Sequence, residues 1–205
     1  MNLGEVRAQV TGLLNRRDCT TALADSFLRM GMSRLQRMVR IPSMERSHYI
    51  TGEVVTVESF GVPVDLLQIN DVFVNGRPLE KKSFRQLMEM RYANPGAIGQ
   101  CEFYARVGAS IFLFPAMPAD TEMVLTYYGE FTALATDDAE NTATIGLPDL
   151  LTYAALTFAG DYFKHDSAPR WEDRFKSMVA ETMDEANQLE MTGGSSVVTP
   201  PHADF

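Results

Sequence analysis

The sequence has 205 residues, of which 45% are hydrophobic, and a formal net charge of −9 at pH 7. This composition predicts a folded globular protein and excludes a disordered chain. No apolar run approaches the roughly 20 residues of a membrane span, which excludes a transmembrane protein.

The charge is unevenly distributed. Residues 1–46 carry eight Lys and Arg against four Asp and Glu, so their net charge is +4 and that of the remainder is −13. Oppositely charged regions favour contacts between copies, while a mainly acidic chain disfavours ordinary DNA binding and suits a surface that DNA slides past. The N-terminus lacks a secretion signal, so we expect the protein to stay in the cytoplasm where it is made.

Two helices are predicted at the N-terminus. Asn2 is a suitable cap for the first, whose apolar positions are Leu3, Val6, Val10, Leu13 and Leu14. The second spans residues 20–40 until Pro42 stops it, and its apolar face is Leu23, Phe27, Met30, Leu35 and Met38. Arg34, Arg37 and Arg40 follow at steps of three and form a basic stripe. The stripe is either a subunit interface or a solvated helix face.

Strands are predicted from Tyr49 onward. β-Branched and aromatic runs occur at residues 49–57, 66–69, 71–74, 100–107, 110–114 and 122–128. Asn75-Gly76 is the strongest short-range signal for a tight hairpin. A short helix is predicted over residues 83–92. The close spacing of the strands indicates an antiparallel meander or a small sandwich.

Two further helices follow the strands. Pro148 and Asp149 suit a first helical turn. Apolar residues then cover most sides of the helix, which predicts a core helix: Leu147, Leu150, Leu151, Ala154, Ala155, Phe158, Ala159 and Phe163. A second pattern, from Arg170 to about Leu189, completes a helical hairpin and has its apolar stripe at Trp171, Phe175, Met178, Val179 and Met183.

These elements predict an α+β fold. Residues 1–47 and 144–191 form a helical bundle, residues 48–143 an inserted antiparallel β domain, and residues 192–205 an extended C-terminal tail. In the tail, Gly193-Gly194-Ser195-Ser196 is a flexible leash. The predicted anchors to a partner are Val197, Val198, Pro200, Pro201 and Phe205. A merely disordered terminus is the alternative.

No catalytic motif is present, so we predict a protein that is not an enzyme and that needs no cofactor or metal. His48, His165 and His202 are dispersed, and Cys19 and Cys101 are expected to be free thiols. Asp161, near the end of its helix, could form an acidic dyad with Glu172 across the helical hairpin, but a helix-end polar group or a salt bridge to a basic residue is the preferred interpretation. A small hydrolase with an unrecognised carboxylate site is the alternative function.

Three stretches resemble the head-to-tail adaptor, or connector, proteins of tailed bacteriophages. They are Arg40 to Glu45; Val62 to Leu67 with the hairpin of residues 72–79; and Phe112 to Tyr128 followed by Leu147 to Leu156. Their order and spacing carry the resemblance, and together they cover most of the chain. The wall-degrading activity of some short-tailed-phage adaptors is not implied, because no stretch resembles a muramidase site.

The resemblance implies a structural virion protein at the head–tail junction. It implies a helical bundle with an inserted β domain, and a ring of twelve copies around the DNA channel. The implied partners are the portal protein, reached by the C-terminal arm, and a tail or nozzle protein. The genomic DNA passes without specific binding, and no membrane is involved. Another tail-completion or nozzle protein is the alternative.

Overall fold

The computed structural model describes residues 1–51 and 57–192. The chain divides into a helical unit, Met1–Ser43 with the chain from Phe131 onward, and a β unit, Met44–Glu130. In chain order the elements are α1 (Leu3–Leu14), α2 (Thr21–Met38), β1 (Glu45–Thr51), β2 (Val57–Gly61), β3 (Leu66–Val74), β4 (Arg77–Pro78), β5 (Glu80–Lys81), α3 (Phe84–Ala93), β6 (Phe103–Val107), β7 (Ser110–Met117), β8 (Glu122–Gly129), α4 (Thr142–Gly146), α5 (Pro148–Phe163) and α6 (Ala168–Thr192). The predicted α+β class is confirmed.

The first helix begins at its predicted cap. Asn2 Oδ1 accepts a hydrogen bond from the Glu5 N–H at 2.9 Å, and Glu5 Oε2 accepts one from the Asn2 N–H at 3.0 Å. This reciprocal pair satisfies two N–H groups that lack partners within the helix. The buried face of α1 is Leu3, Val6, Val10 and Leu14, whereas Leu13 is 50% exposed.

The second helix is oriented differently from the prediction. Its buried residues are Ala24, Phe27, Leu28, Gly31 and Leu35. Met30 and Met38, predicted for the apolar face, are 38% and 41% exposed. Since Ala24 and Gly31 allow a neighbouring backbone to come close, α2 packs through its small residues and leaves the two methionines at the surface.

Helix α5 is central to the helical unit. It begins at Pro148 with Asp149 in its first turn, as predicted, and it contacts α1, α2, α4 and α6. Its alanines and Gly160 are buried, but Phe158 and Phe163 are only half-buried, so their predicted place in the core is wrong. Small residues bring the helices together here, and the large aromatic rings remain at the edges of the contacts.

Helix α6 has the predicted buried stripe. Trp171, Phe175, Met178 and Val179 are buried, and Met183 is half-buried. The connection from α5 turns at Lys164, whose φ of 48° is left-handed, and the His165 N–H donates to the Gly160 carbonyl at 2.9 Å. The predicted helical hairpin is therefore present.

The segment before α5 belongs to the helical unit. The N–H groups of Leu3 and Gly4 donate to the carbonyls of Ala139 and Asp137 at 3.0 and 2.9 Å. These bonds attach to α1 a loop that the sequence had assigned to the β domain. The units divide after residues 43 and 130, whereas the sequence placed the divisions after 47 and 143.

Helix α4 was missed by the sequence prediction. Buried Asn141 caps it, accepting the Thr144 N–H at 3.0 Å, while Asn141 Nδ2 donates to the Thr132 carbonyl at 2.7 Å. Five residues are too few for a periodic apolar pattern, which is why the sequence did not reveal this helix.

The β unit contains two four-stranded sheets among its described residues, with strand orders β1-β8-β3-β4 and β2-β7-β6-β5. Strand β8 pairs antiparallel with both β1 and β3. Both sheets contribute to one buried apolar cluster, which includes Val72, Ile111, Leu113, Met123 and Leu125. The two sheets therefore pack as a small sandwich.

Local signals in this unit were correct at two places. Asn75 and Gly76 have φ of 49° and 73° and connect β3 to β4, with Val74 opposite Arg77. Positive φ at both positions is what a tight primed turn requires. The predicted short helix is α3, which Ser83 and Gln86 begin with a capping box.

Two predictions for the β unit are wrong. The single strand predicted over residues 49–57 is wrong, because Tyr49 and Thr51 belong to β1 in one sheet and Val57 belongs to β2 in the other. The β domain is not entirely antiparallel, because β5 and β6 pair in parallel. Helix α3 lies between these two strands in sequence, and a helical crossover returns the chain in its original direction.

Candidate interface site on the helical unit

Arg34 is held inside its own chain. Its guanidinium donates two hydrogen bonds to the Glu172 carboxylate, at 2.6 and 2.7 Å, and one to Thr157 Oγ1 at 2.9 Å. It also lies over the Phe175 ring, 4.3 Å from the centroid. This geometry connects α2 to both α5 and α6, and a bidentate pair of this kind is stronger than an ordinary surface contact.

Glu172 is kept ionised by this arrangement. The hydrogen bond from Arg34 lowers the pKa of the Glu172 carboxyl, and Lys176, 3.2 Å away, lowers it further, although burial acts in the opposite direction. A general acid needs a raised pKa near the working pH. Glu172 is therefore unsuited to that role.

Asp161 and Glu172 line the same open groove of about 450 Å³. Thr157, Phe158 and Pro169 are among its other lining residues. Glu172 forms its salt bridge with Arg34, so for this residue the salt-bridge alternative of the sequence prediction is the one observed.

Arg37 is the member of the predicted stripe that remains open to a partner. It is exposed on α2 and lines a second groove of about 340 Å³, together with Ser26, Arg29, Met30, Ser33 and Phe158. Among the described residues, neither Arg29 nor Arg37 has an ion pair or a hydrogen bond from its side chain.

Arg40 lies beyond the end of α2. Its guanidinium donates hydrogen bonds to the Gln36 and Val39 carbonyls at 2.5 and 2.7 Å. Carbonyls at this end of a helix have no partner within the helix, so Arg40 satisfies them. The three arginines thus have three different environments. Their role in a subunit interface stays a prediction.

The sequence analysis missed a second charged cluster. Arg7 Nε donates to Asp25 at 2.6 Å and Arg7 Nη2 donates to Asp137 at 2.8 Å, so α1, α2 and the loop before α4 are joined. The hydrogen bond from Arg7 lowers the pKa of the Asp137 carboxyl. In turn, the hydrogen bonds to Asp137 and, to a smaller extent, Asp25 raise the pKa of the Arg7 guanidinium. Asp137 is 130 residues from Arg7 in sequence, so no local pattern could have revealed the pair.

The described part of the chain shows no cluster of His, Cys, Asp and Glu that could hold a metal ion. His165 stacks on Trp171 with ring centroids 4.7 Å apart, and its Nδ1 accepts the Ser167 N–H at 3.1 Å. His48 is exposed in β1. Cys19 and Cys101 are both free.

Other predicted residues lie outside the described part of the chain. These are His202 and the tail anchors Val197, Val198, Pro200, Pro201 and Phe205. Their role stays a prediction. Across the described ranges, no helix is both long and apolar enough for a membrane span.

The chain was compared with protein families and with curated proteins. A family model described as SU10 adaptor protein matches residues 1–200. No curated protein matches the chain. The matched range includes all of the β unit and nearly all of the helical unit.

Proposed function

The chain belongs to the SU10 adaptor protein family, and we propose that this phage adaptor protein forms a ring at the head–tail junction that links the portal to the tail. The family match over residues 1–200 carries the proposal. The family is one of structural phage proteins. The ring surrounds the channel through which DNA passes, and twelve copies is the number that the adaptor resemblance implies.

The charge distribution supports self-assembly. A +4 segment at residues 1–46 and a −13 remainder supply complementary surfaces on one chain. Contacts between unlike surfaces of identical chains are heterologous, and they close into a ring when the rotation between copies allows it. Arg37, exposed in a groove of the helical unit, is the member of the predicted stripe that best fits this role.

The net charge of −9 also supports passage of DNA. Phosphate groups bind to clustered Lys and Arg, and an acidic wall repels them. A channel of this kind lets DNA move without being held. The virion is therefore the proposed location of the assembled protein.

The tail is the proposed portal-docking element. The tail supplies apolar side chains on a segment that the sequence predicts to be extended, and extended segments bind along a sheet edge or in a groove: Val197, Val198, Pro200, Pro201 and Phe205. Ordering one tail costs about 2–5 kcal/mol of its interaction energy. A ring presents many tails at once, so avidity compensates for weak single contacts.

The test is electron microscopy and sedimentation of the purified chain, alone and with a portal. Rings that bind the portal are the expected result. A chain ending at Met191 should form rings but bind the portal more weakly, and the matched control is a full-length chain with Thr199→Ser. If the truncated rings bind the portal as tightly as the full-length rings, the tail is not the portal-docking element. Rings that bind a tail component and not the portal would favour a nozzle or tail-completion role.

A further inference from the structure

The groove between α2 and α5 combines apolar and basic groups. Its apolar residues are Met30, which is 38% exposed, and half-buried Phe158, while Arg29 and Arg37 are the exposed cations beside them. We call this surface the α2–α5 groove. Arginine and aromatic side chains are enriched at the energetic centres of protein interfaces.

The two arginines differ from four other arginines in the helical unit. Arg7, Arg16 and Arg34 each donate to a carboxylate, and Arg40 donates to carbonyls at the end of α2. Within residues 1–51 and 57–192, no such acceptor reaches the guanidinium of Arg29 or Arg37. Two cations that line one groove beside exposed apolar surface therefore fit an acidic partner.

An acidic surface lies on α6. Glu181, Asp184 and Glu185 are exposed, and residues 177–192 contain no Lys or Arg. At about 100° per residue, these three carboxylates fall within about 100° of one another, with Asp184 opposite the buried Phe175, Glu181 about 120° from it and Glu185 on the flank, about 80° from it. We call this surface the α6 acidic face.

The groove and the acidic face cannot meet within one chain. Helix α6 packs against α5 with its buried stripe, so Glu181 and Asp184 are directed away from α5. Unlike surfaces on different sides of one chain satisfy each other only between copies, in a heterologous contact.

We propose that the α6 acidic face of one copy docks in the α2–α5 groove of the next. Glu181 and Asp184 pair with Arg29 and Arg37, and Met30 and Phe158 pack against the apolar stems of the docked helix. This inference rests on the proposed ring and names the surfaces that form it. It retains Arg37 from the predicted stripe and adds Arg29, which the stripe did not include.

Charge reversal on each side tests the contact. The groove variant is Arg29→Glu with Arg37→Glu, and the α6 variant is Glu181→Arg with Asp184→Arg. Each variant alone should lose rings, with the concentration for half-assembly raised roughly tenfold or more. A control pair of the same charge change, Arg17→Glu with Arg170→Glu, should assemble like the parent chain.

Mixing the two variants gives the decisive result. Every contact between a groove variant and an α6 variant has opposite charges, so an equimolar mixture should form rings of alternating chains. Restored rings also show that both variants are folded. Failure of the mixture to assemble, or rings formed by each variant alone as well as by the parent, would overturn the docking contact while parent rings remain. A parent chain that stays monomeric would instead overturn the ring itself and this contact with it.

Discussion

Gly31 of α2 lies directly against Ala155 of α5. A Cβ added at Gly31 would be 2.9 Å from the Ala155 backbone nitrogen and 3.1 Å from the Ala154 carbonyl carbon. Both neighbours are main-chain atoms of a central helix, so neither can rotate away as a flexible side chain would. The absence of a side chain at residue 31 therefore sets how closely the two helices approach.

Gly31→Ala should destabilise the protein. The added methyl group forces α2 and α5 apart, and overpacking of this kind costs about 1–3 kcal/mol. Gly12→Ala is the matched control, because a Cβ there meets nothing within 4 Å and the position is in α1. Replacing a helical glycine by alanine stabilises by about 0.5–1 kcal/mol. Thermal denaturation of both variants measures the difference, and equal midpoints would contradict the close packing.

Phe158→Ala and Phe175→Ala should have different costs. Phe175 is 0% exposed, and truncating such a side chain costs about 3–5 kcal/mol. Phe158 is half-buried at the edge of two grooves, so its loss should cost about 1–2 kcal/mol. Urea denaturation of the two variants gives both values. If the Phe158 variant loses as much unfolding free energy as the Phe175 variant, Phe158 is a core residue and not an edge residue.

Local sequence signals predicted where elements begin and turn. Asn2 and Pro148 start helices where expected, and Asn75-Gly76 forms its hairpin. Each signal acts over two to four residues, through a cap, a fixed φ or a positive φ. For that reason the fold class and most elements could be predicted without any knowledge of tertiary contacts.

Packing between elements could not be predicted in the same way. The sequence prediction did not include Gly31 in the apolar face of α2, whereas an added Cβ there would lie only 2.9 Å from the Ala155 backbone nitrogen of α5. The parallel pairing of β5 with β6 depends on where α3 returns the chain. Such features are decided by residues far apart in sequence, which periodicity does not report.

The candidate site shows the same limit. Arg34 and Arg37 looked equivalent in the stripe, yet Arg34 pairs with Glu172, 138 residues away, and Arg37 is exposed. Only the partners distinguish a structural arginine from one available for binding. Arg29 lies five residues before Arg34, outside the regular spacing of the stripe, so the sequence offered no reason to include it.

Lowering the pH should weaken the connection between Arg34 and Glu172. The pKa of Glu172 is lowered in the folded protein, chiefly by the hydrogen bond from Arg34, from an ordinary value of 4.5. The resulting stability is present above that value and is lost as the pH falls through the folded pKa. Arg34→Ala should cost about 1–3 kcal/mol at neutral pH, since bonds to a charged group are lost.

A double-mutant cycle isolates this contact. Arg34→Ala, Glu172→Ala and the double variant are compared by urea denaturation at about pH 7 and about pH 3, and the coupling free energy should shrink at the lower pH. Arg85 and Glu89 on α3 are the control pair, because both are well exposed and should couple by less than about 1 kcal/mol. A coupling that is the same at both pH values would contradict the role of ionised Glu172.

The two thiols should differ in reactivity in the folded protein. Cys101 is 2% exposed, its Sγ donates to the Pro115 carbonyl at 3.1 Å, and burial raises its pKa to about 11. Little thiolate is present at about pH 8, and alkylation requires the thiolate. Cys19 is half-buried, and its pKa is raised too, first by burial and then by Asp18. We therefore expect slow labelling of Cys19, still slower labelling of Cys101, and two labels per chain after denaturation.

Mass spectrometry of chains treated with iodoacetamide measures both rates. Cys19→Ser should remain almost unlabelled while folded and take one label in urea, and Cys101→Ser should keep the slow reaction of Cys19. The Cys101 rate reports opening of the β-unit core, because Cys101 belongs to the same buried cluster as Leu113 and Met123. We expect this opening to be rare, because Cys101 is buried in the cluster to which both sheets contribute. Labelling of Cys101 as fast as that of Cys19 would contradict this expectation and show that the core opens readily.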